Sequence, residues 1–164
     1  MTGWSNSGIK VALSGGGGEG VTELLGTHCY QLDPKGRISL PARFREALAD
    51  GAYLTLGQDG CLFCFPRVEW EARAEEVRSV PLSDPDGRAY ARMFFGNAEP
   101  VELDAQGRLV VPQRLRAQVG IRKEVVVVGV SDRLEIWDRE AHERYHEAHG
   151  GAYQAGALYP SRQG

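Results

Sequence analysis

The alternation of apolar and polar residues about a quarter of the way along the chain predicts a strand with a sharp boundary at each end. Residues 37–40 alternate polar and apolar side chains, as a strand with one buried face requires. Before them, Asp33-Pro34-Lys35-Gly36 places Asp, Pro and Gly at the positions that a type I turn favours. After them, Pro41 suits the first turn of a short helix that ends near Ala49. The pattern therefore predicts a turn, a strand and a short helix.

A β-hairpin is predicted immediately downstream. Residues 53–57 and 61–65 are two largely apolar runs that flank Gln58-Asp59-Gly60, a sequence typical of a hairpin turn. With a strand expected before Asp33, the unit becomes strand, turn, strand, short helix and hairpin.

This unit occurs twice. Asp33 to Arg45 recurs 71 positions later as Asp104 to Arg116, with six of thirteen positions identical and the apolar positions matched in kind. With one residue inserted, the match continues into a second hairpin that ends near Arg139. A unit of about forty residues is too small to bury a core alone. We therefore expect the two copies to pack about a pseudo-two-fold axis into one closed, mainly β structure of the α+β class.

Helices are predicted between and after the copies. Residues 66–78 and 85–95 have helical apolar spacing, the second preceded by a Ser83-Asp84 cap, and a last helix runs from Asp138 to about Ala148 before a Gly150-Gly151 stop. The predicted organisation is a disordered N-terminal extension (1–24), repeat 1 (27–70), linking helices (71–97), repeat 2 (98–141), and the helix end with a mobile tail (142–164).

The N-terminal extension carries a second prediction. Gly-Gly-Gly-Gly-Glu-Gly before Val21 resembles a purine-rich ribosome-binding sequence read as codons, and valine is encoded by GTG starts. We therefore expect translation to begin at Val21.

Composition narrows the functional classes. The chain has 164 residues, 42% apolar and 25% charged, with a net charge of −3 and three cysteines. These values exclude a disordered chain, a disulfide scaffold and a general polybasic nucleic-acid binder. No apolar run approaches the eighteen residues of a membrane helix, so we expect no membrane partner. The low, odd number of cysteines and the absence of a signal-like segment predict a cytoplasmic protein.

Positive charge is nevertheless concentrated at two equivalent places. Residues 33–45 carry a net charge of +3 and residues 104–116 a net charge of +2. Arginine reads guanine O6 and N7 with two hydrogen bonds and also binds phosphate. Arg37 and Arg108, each at the start of a strand, are therefore candidate DNA contacts, although each could instead pair with a nearby carboxylate such as that of Asp33.

The doubled motif D-x-x-G-R-[IL]-x-[LV]-P-x-R-[FL]-R, with Leu25-Gly26-Thr27-His28 opening the first copy, resembles the bacterial MraZ family. One such motif alone would suggest the broader SpoVT-AbrB and MazE-like group. The resemblance implies a swapped-hairpin, double-split β-barrel, a ring-shaped homo-oligomer and a nucleoid-associated repressor. Such a repressor binds repeated boxes in promoter DNA upstream of its own division and cell-wall gene cluster.

The resemblance also assigns roles to individual residues. It makes Arg37 and Arg108 the leading contacts to double-stranded DNA, and Lys35, Arg45 and Arg116 the cations that face its backbone. The turn-forming residues are Asp33, Gly36, Asp104 and Gly107. Lys35 is matched by Gln106 in the second copy, which suggests that the two halves contact DNA unequally.

Two other motifs favour structural interpretations. His142-Glu143-Arg144-Tyr145-His146 matches the H-E-x-x-H zinc-protease pattern, but only a glycine-rich tail follows and the neighbouring residues are charged, so we expect no functional metal site. Adventitious metal binding by the helix face with His142, His146 and His149 is the alternative. Cys61 and Cys64 lie three residues apart on a predicted strand and point to opposite faces, which favours two buried apolar residues over a shared ion.

No catalytic constellation or phosphate-binding loop is visible, so we expect no enzyme activity and no cofactor. The main alternative function is an antitoxin-like protein-interaction module of the same fold. Antitoxins of that kind use a long disordered C-terminal segment, whereas the tail after Gly150 is short and carries one charge.

Overall fold

The computed structural model describes residues 23–156, which form an α+β fold with eight strands and five helices in that range. The elements are β1 (Leu24–Gln31), β2 (Arg37–Ser39), α1 (Ala42–Ala47), β3 (Ala52–Leu56), β4 (Leu62–Pro66), α2 (Arg67–Arg78), α3 (Pro85–Gly96), β5 (Glu99–Val101), β6 (Arg108–Val110), α4 (Gln113–Val119), β7 (Glu124–Ser131), β8 (Leu134–Asp138) and α5 (Arg139–Gln154). The predicted elements of each repeat are present in the predicted order.

Six strands form an antiparallel sheet in the order β1-β7-β8-β4-β3-β5, and β2 pairs with β6 in a separate two-stranded ribbon. Four of these pairings join the two repeats: β1 with β7, β3 with β5, β4 with β8 and β2 with β6. Each first strand therefore pairs with the third strand of the other repeat, as a pseudo-two-fold arrangement requires.

The sheet differs from the closed structure expected from the sequence. Within residues 23–156 neither sheet closes on itself, and β1 and β5 are the two edges of the larger one. Pro100 lies in β5, where it lacks the N–H that a further strand would need.

Alternate residues of the sheet enter two separate cores. On one face, Ile38 and Leu109 of the ribbon and Phe44 of α1 pack with Val125 and Val127 of β7. On the other face, a second cluster is made mainly of aromatic side chains together with Cys61, Val77 and Val126. In this cluster Phe63, Phe65, Phe94 and Trp137 are buried, with Trp70 and Phe95 partly buried against them. The helices α2, α3 and α5 cover this face.

Two aspartates cap the N-termini of two of the longer helices. Asp84 accepts a hydrogen bond from Asp86 N at the start of α3, and Asp138 accepts one from Ala141 N at the start of α5. The predicted cap at Asp84 is therefore confirmed.

The predicted stop of the last helix is wrong. α5 continues through Gly150-Gly151 to Gln154, and the left-handed glycine that follows its end is Gly156, with φ of 77°. A glycine inside a helix costs about 1 kcal/mol but leaves its hydrogen bonds intact, so two glycines did not end this one.

The ends of the predicted organisation fall partly beyond the structure. Residues 1–22, including the predicted start at Val21, and residues 157–164 of the predicted tail lie outside the described range. Leu24, assigned to the N-terminal extension by the sequence, is instead the first residue of β1 and is buried. None of the helices in residues 23–156 is long and apolar enough to cross a membrane.

Candidate nucleic-acid interface

The first predicted turn is built around the side chain of Asp33. Its Oδ1 atom accepts hydrogen bonds from the backbone N–H groups of Lys35 and Arg37, at 2.9 and 2.8 Å. Gly36 N donates to Asp33 O at 2.9 Å, and Gly36 has a positive φ of 78°. A side chain at Gly36 would be strained there, so the geometry of the turn favours Asp at its first position and Gly at its fourth.

The second turn repeats this geometry. Asp104 Oδ1 accepts from the backbone N–H groups of Gln106 and Arg108, both at 2.9 Å, and Gly107 N donates to Asp104 O at 2.9 Å. Gly107 has a positive φ of 75°. The two turns are therefore built by the same side-chain and backbone contacts.

Each turn holds the arginine that follows it. Arg37 Nε donates to Asp33 Oδ2 at 2.5 Å, and Arg108 Nε donates to Asp104 Oδ2 at 2.8 Å. All four side chains are about one quarter exposed. The pairing of a strand-start arginine with its own aspartate, one of the two alternatives open from the sequence, is thus present. This pairing engages Nε of each guanidinium and restricts the direction in which the arginine side chain points.

These contacts also change the acidity of the carboxyls. Burial opposes ionisation of Asp33, but hydrogen bonds from Arg37 and Lys35 outweigh it and hold the pKa of Asp33 below its usual value. For Asp104 the backbone hydrogen bond from Arg108 is the largest influence, and its pKa is also lowered. Both turns therefore contain ionised carboxylates at neutral pH.

The two turns lie side by side. The β2–β6 ribbon places Arg37 opposite Val110 and Ser39 opposite Arg108. As a result, Arg108 Nη1 lies 4.0 Å from Asp33 Oδ2, across the boundary between the repeats. The two candidate DNA-contacting arginines thus belong to one continuous surface.

Arg45 and Arg116 join the same surface from the short helices. Arg45 donates to Leu40 O at 2.5 Å, and its side chain packs over Gly107 of the other repeat. Arg116 makes the equivalent contacts, to a backbone carbonyl of its own repeat and to Gly36. With exposed Lys35, the structure brings all five predicted basic residues together at the paired turns.

Two features of this surface were missed by the sequence reasoning. One is the packing of each helix arginine over the opposite turn, for which a single sequence carries no signal. The other is a hydrogen bond of 3.0 Å from Arg108 Nη2 to Gln106 Oε1. Its signal in the sequence was the exchange of Lys35 for Gln106 between the repeats.

Arg114, a further arginine of the repeated motif, lies outside this surface. It is directed away from the turns and pairs with Glu99 at 2.8 Å.

The histidines of the zinc-protease-like motif are distributed along α5. His142 packs edge-on against Trp137, with ring centroids 5.5 Å apart, and burial lowers the pKa of His142. His149 stacks on Tyr145 and bonds to its carbonyl oxygen. Among residues 23–156 no group of three or more histidine, cysteine, aspartate or glutamate side chains is arranged to hold a metal ion.

The two cysteines of the C-x-x-C motif lie on opposite faces of the sheet. Cys61 belongs to the aromatic cluster, whereas Cys64 belongs to the core beneath the ribbon. Burial raises the pKa of Cys64 to about 12, and that of Cys61 is raised as well. The prediction of two buried apolar residues is confirmed.

Comparison with known proteins agrees with the repeat structure. The family model described as "MraZ protein, putative antitoxin-like" matches residues 24–93 and again 94–151. The chain is 44% identical over 130 residues to the transcriptional regulator MraZ of Pelotomaculum thermopropionicum, covering 79% of this chain and 90% of that protein. It is 46% identical over 129 residues to the transcriptional regulator MraZ of Saccharopolyspora erythraea, with 79% and 90% covered. From the two tandem matches and these identities, the chain belongs to the MraZ family.

Proposed function

We propose that this protein is a sequence-specific, double-stranded-DNA-binding transcription regulator of the cytoplasm and nucleoid. It binds repeated promoter boxes and represses its own division and cell-wall gene cluster. The observation that carries the proposal is the side-by-side placement of the two Asp-Arg turns, each presenting a guanidinium fixed by a carboxylate. The names of the related transcriptional regulators support the same class of function.

In this proposal Arg37 and Arg108 are the base-reading residues. Each guanidinium has Nε engaged by its own aspartate, and each arginine keeps terminal N–H groups that can donate to a guanine. Fixing the side chain before binding reduces the conformational entropy that is lost on binding. A fork of two N–H donors matches guanine O6 and N7 in the major groove.

The remaining cations contact phosphates. Lys35 is exposed in the first turn, and Arg45 and Arg116 flank the turns from the short helices. Each backbone contact adds affinity that depends on salt and is independent of sequence.

The finer architecture is also part of the proposal. We infer that each subunit contributes to a swapped-hairpin, double-split β-barrel, and the exchange of strands between the repeats supports this inference. Several such subunits form a ring, and a ring that binds evenly spaced boxes gains affinity through effective concentration.

The test is a fluorescence-anisotropy titration of the DNA upstream of this gene's operon, beside an unrelated duplex of equal length. We expect specific binding by the wild type, with Arg37→Ala and Arg108→Ala each costing about 1–3 kcal/mol and reducing discrimination. The control is Arg114→Ala, which removes the same charge from a side chain directed away from the turns.

Two outcomes would contradict the proposal. An equal loss for all three variants would mean that bulk charge carries the binding. An assembled wild type without specific binding would favour the antitoxin-like alternative, for which exposed Tyr90 and Met93 on α3 offer an apolar protein-binding surface. A pull-down with and without α3 surface substitutions would then identify the partner.

A further inference from the structure

The two DNA-facing turns have the same backbone but different side-chain contacts. Arg108 donates from Nε to Asp104 at 2.8 Å and from Nη2 to Gln106 at 3.0 Å, so two of its three nitrogens are held within its own turn. Arg37 is held only through Nε, by Asp33. Within residues 23–156, the terminal nitrogens of Arg37 have no hydrogen-bond partner.

The difference follows from one position. Gln106 carries an amide oxygen that accepts from a guanidinium. Its counterpart Lys35 carries an ammonium group, which only donates and has the same charge as Arg37. Lys35 therefore cannot make the corresponding contact, and its exposed charge remains available to an external anion.

Each arrangement favours a different kind of DNA contact. A guanidinium held on one whole edge, as in Arg108, has lost most of its freedom before binding and presents its far edge in one direction. That favours geometric discrimination between bases. A flexible lysine beside a more mobile arginine adds positive charge without directional preference, which favours contacts to phosphate.

We propose, on the basis of the DNA-binding function above, that the two repeats have different roles in DNA recognition. The turn of repeat 2 is the main sequence-reading element, and Gln106 is a positioning residue that orients Arg108. The turn of repeat 1 is the main phosphate anchor, through Lys35.

A matched pair of substitutions at equivalent positions tests these different roles. Lys35→Ala and Gln106→Ala are each titrated against the upstream operon DNA and against an unrelated duplex of equal length, at several salt concentrations. The turn backbones are kept in both variants, because Asp33 and Asp104 bind backbone N–H groups that alanine retains.

For Lys35→Ala we expect weaker binding to both duplexes by a similar factor, with an unchanged ratio of affinities. The salt dependence should fall by about one phosphate contact for each engaged subunit. For Gln106→Ala we expect unchanged binding to the unrelated duplex and an unchanged salt dependence, with the specific affinity reduced on the order of tenfold.

A third variant separates positioning from direct contact. Gln106→Glu keeps an acceptor for Arg108, so it should retain the discrimination that Gln106→Ala loses, while its negative charge weakens binding to both duplexes. Loss of discrimination in Gln106→Glu would mean that the amide itself contacts DNA and would overturn the positioning role.

Two further results would contradict the different roles of the two repeats. One is a Gln106→Ala variant with an unchanged ratio of specific to non-specific affinity, and the other is a Lys35→Ala variant in which that ratio falls. Neither result affects the proposed function, provided that the wild type binds the operon DNA specifically. If the wild type shows no specific binding, the proposed function itself fails.

Discussion

Arg45 of the first repeat lies directly over Gly107 of the second, so closely that a Cβ atom on Gly107 would come within 2.5 Å of Arg45 Cδ. The equivalent approach of Arg116 to Gly36 involves the end of the side chain, with Nη2 at 2.8 Å from such a Cβ. A glycine in each turn therefore allows both the left-handed backbone and the close packing of an arginine from the opposite repeat. The shape of one turn depends on the helix of the other repeat.

The first prediction concerns Gly107→Ala. We expect the free energy of unfolding to fall by about 2–3 kcal/mol, because the variant combines a left-handed alanine with displacement of Arg45. Gly60→Ala is the control, since Gly60 has φ of 88° and nothing within 4 Å of its added Cβ. It should cost only the backbone strain, about 1–2 kcal/mol. Equal costs in urea denaturation would show that the contact with Arg45 is not tight.

The second prediction concerns acid stability. Hydrogen bonds from Arg37 and Arg108 lower the pKa values of Asp33 and Asp104 in the folded protein. A carboxyl with a lowered folded pKa stabilises the protein above its unfolded pKa, and this contribution is lost as the pH falls through the folded pKa. We therefore expect the free energy of unfolding to decline below about pH 4.

The test compares Asp33→Asn and Asp104→Asn with the wild type from neutral to acidic pH. Asparagine still accepts the backbone hydrogen bonds of the turn but carries no charge, so the acid-dependent decline should be smaller in both variants. Asp50→Asn, at an exposed position, is the control and should follow the wild type. If the free energy of unfolding of the turn variants declines with acid as steeply as that of the wild type, Asp33 and Asp104 are not the source of the acid dependence.

The third prediction concerns the start of α5. Asp138 is 4% exposed and accepts hydrogen bonds from Ala141 N and from the backbone and side chain of Arg122. We expect Asp138→Ala to cost about 2 kcal/mol, because it removes the helix cap and leaves Arg122 without this partner. Asp84→Ala removes an exposed cap with one hydrogen bond and should cost about 1 kcal/mol or less. The reverse order in denaturant titrations would contradict this.

The fourth prediction concerns thiol reactivity. Cys29 is exposed, whereas Cys61 and Cys64 are buried and their pKa values are raised, mainly by burial. We expect one thiol per native chain to react rapidly with dithiobis(nitrobenzoate) and all three to react in denaturant. Cys29→Ser should abolish the rapid phase. A thiol of that variant that still reacts rapidly would mean that one face of the sheet opens readily.

The fifth prediction concerns the proposed ring. If several subunits bind evenly spaced boxes together, changing the spacing while keeping each box intact should weaken binding of the assembled protein. Binding to a single isolated box, measured in the same anisotropy assay, provides the reference affinity. Equal affinity for all spacings would exclude the contribution of effective concentration.

The local structure was largely predictable because it depends on short-range chemistry. Asp33 and Gly36 define a turn through contacts within four residues, and Asp84 caps a helix in the same way. The end of α5 was not predictable from Gly150-Gly151, because the cost of glycine in a helix is small enough for the surrounding sequence to outweigh it.

The sequence indicates which residues to consider for the candidate site, but not how they are arranged. The repeat identified Arg37 and Arg108, since both copies carry the same motif. That Arg45 would pack on the turn of the other repeat depends on how the strands interleave, which local pattern does not specify. The hydrogen bond from Arg108 to Gln106 depends on side-chain rotamers. The sequence indicated it only through the difference between Gln106 and its counterpart Lys35.

The interleaving of the repeats has a consequence for synthesis on the ribosome. β1 pairs with β7, roughly one hundred residues later in the chain, and β2 pairs with β6. At a synthesis rate of about 5–20 residues per second, β7 is made on the order of ten seconds after β1, and within the first repeat only β3 and β4 pair locally as a hairpin. The nascent first repeat thus exposes an unpaired eight-residue strand that could join a neighbouring nascent chain. Fusing two half-domains into one gene ensures that the correct partner always follows on the same chain.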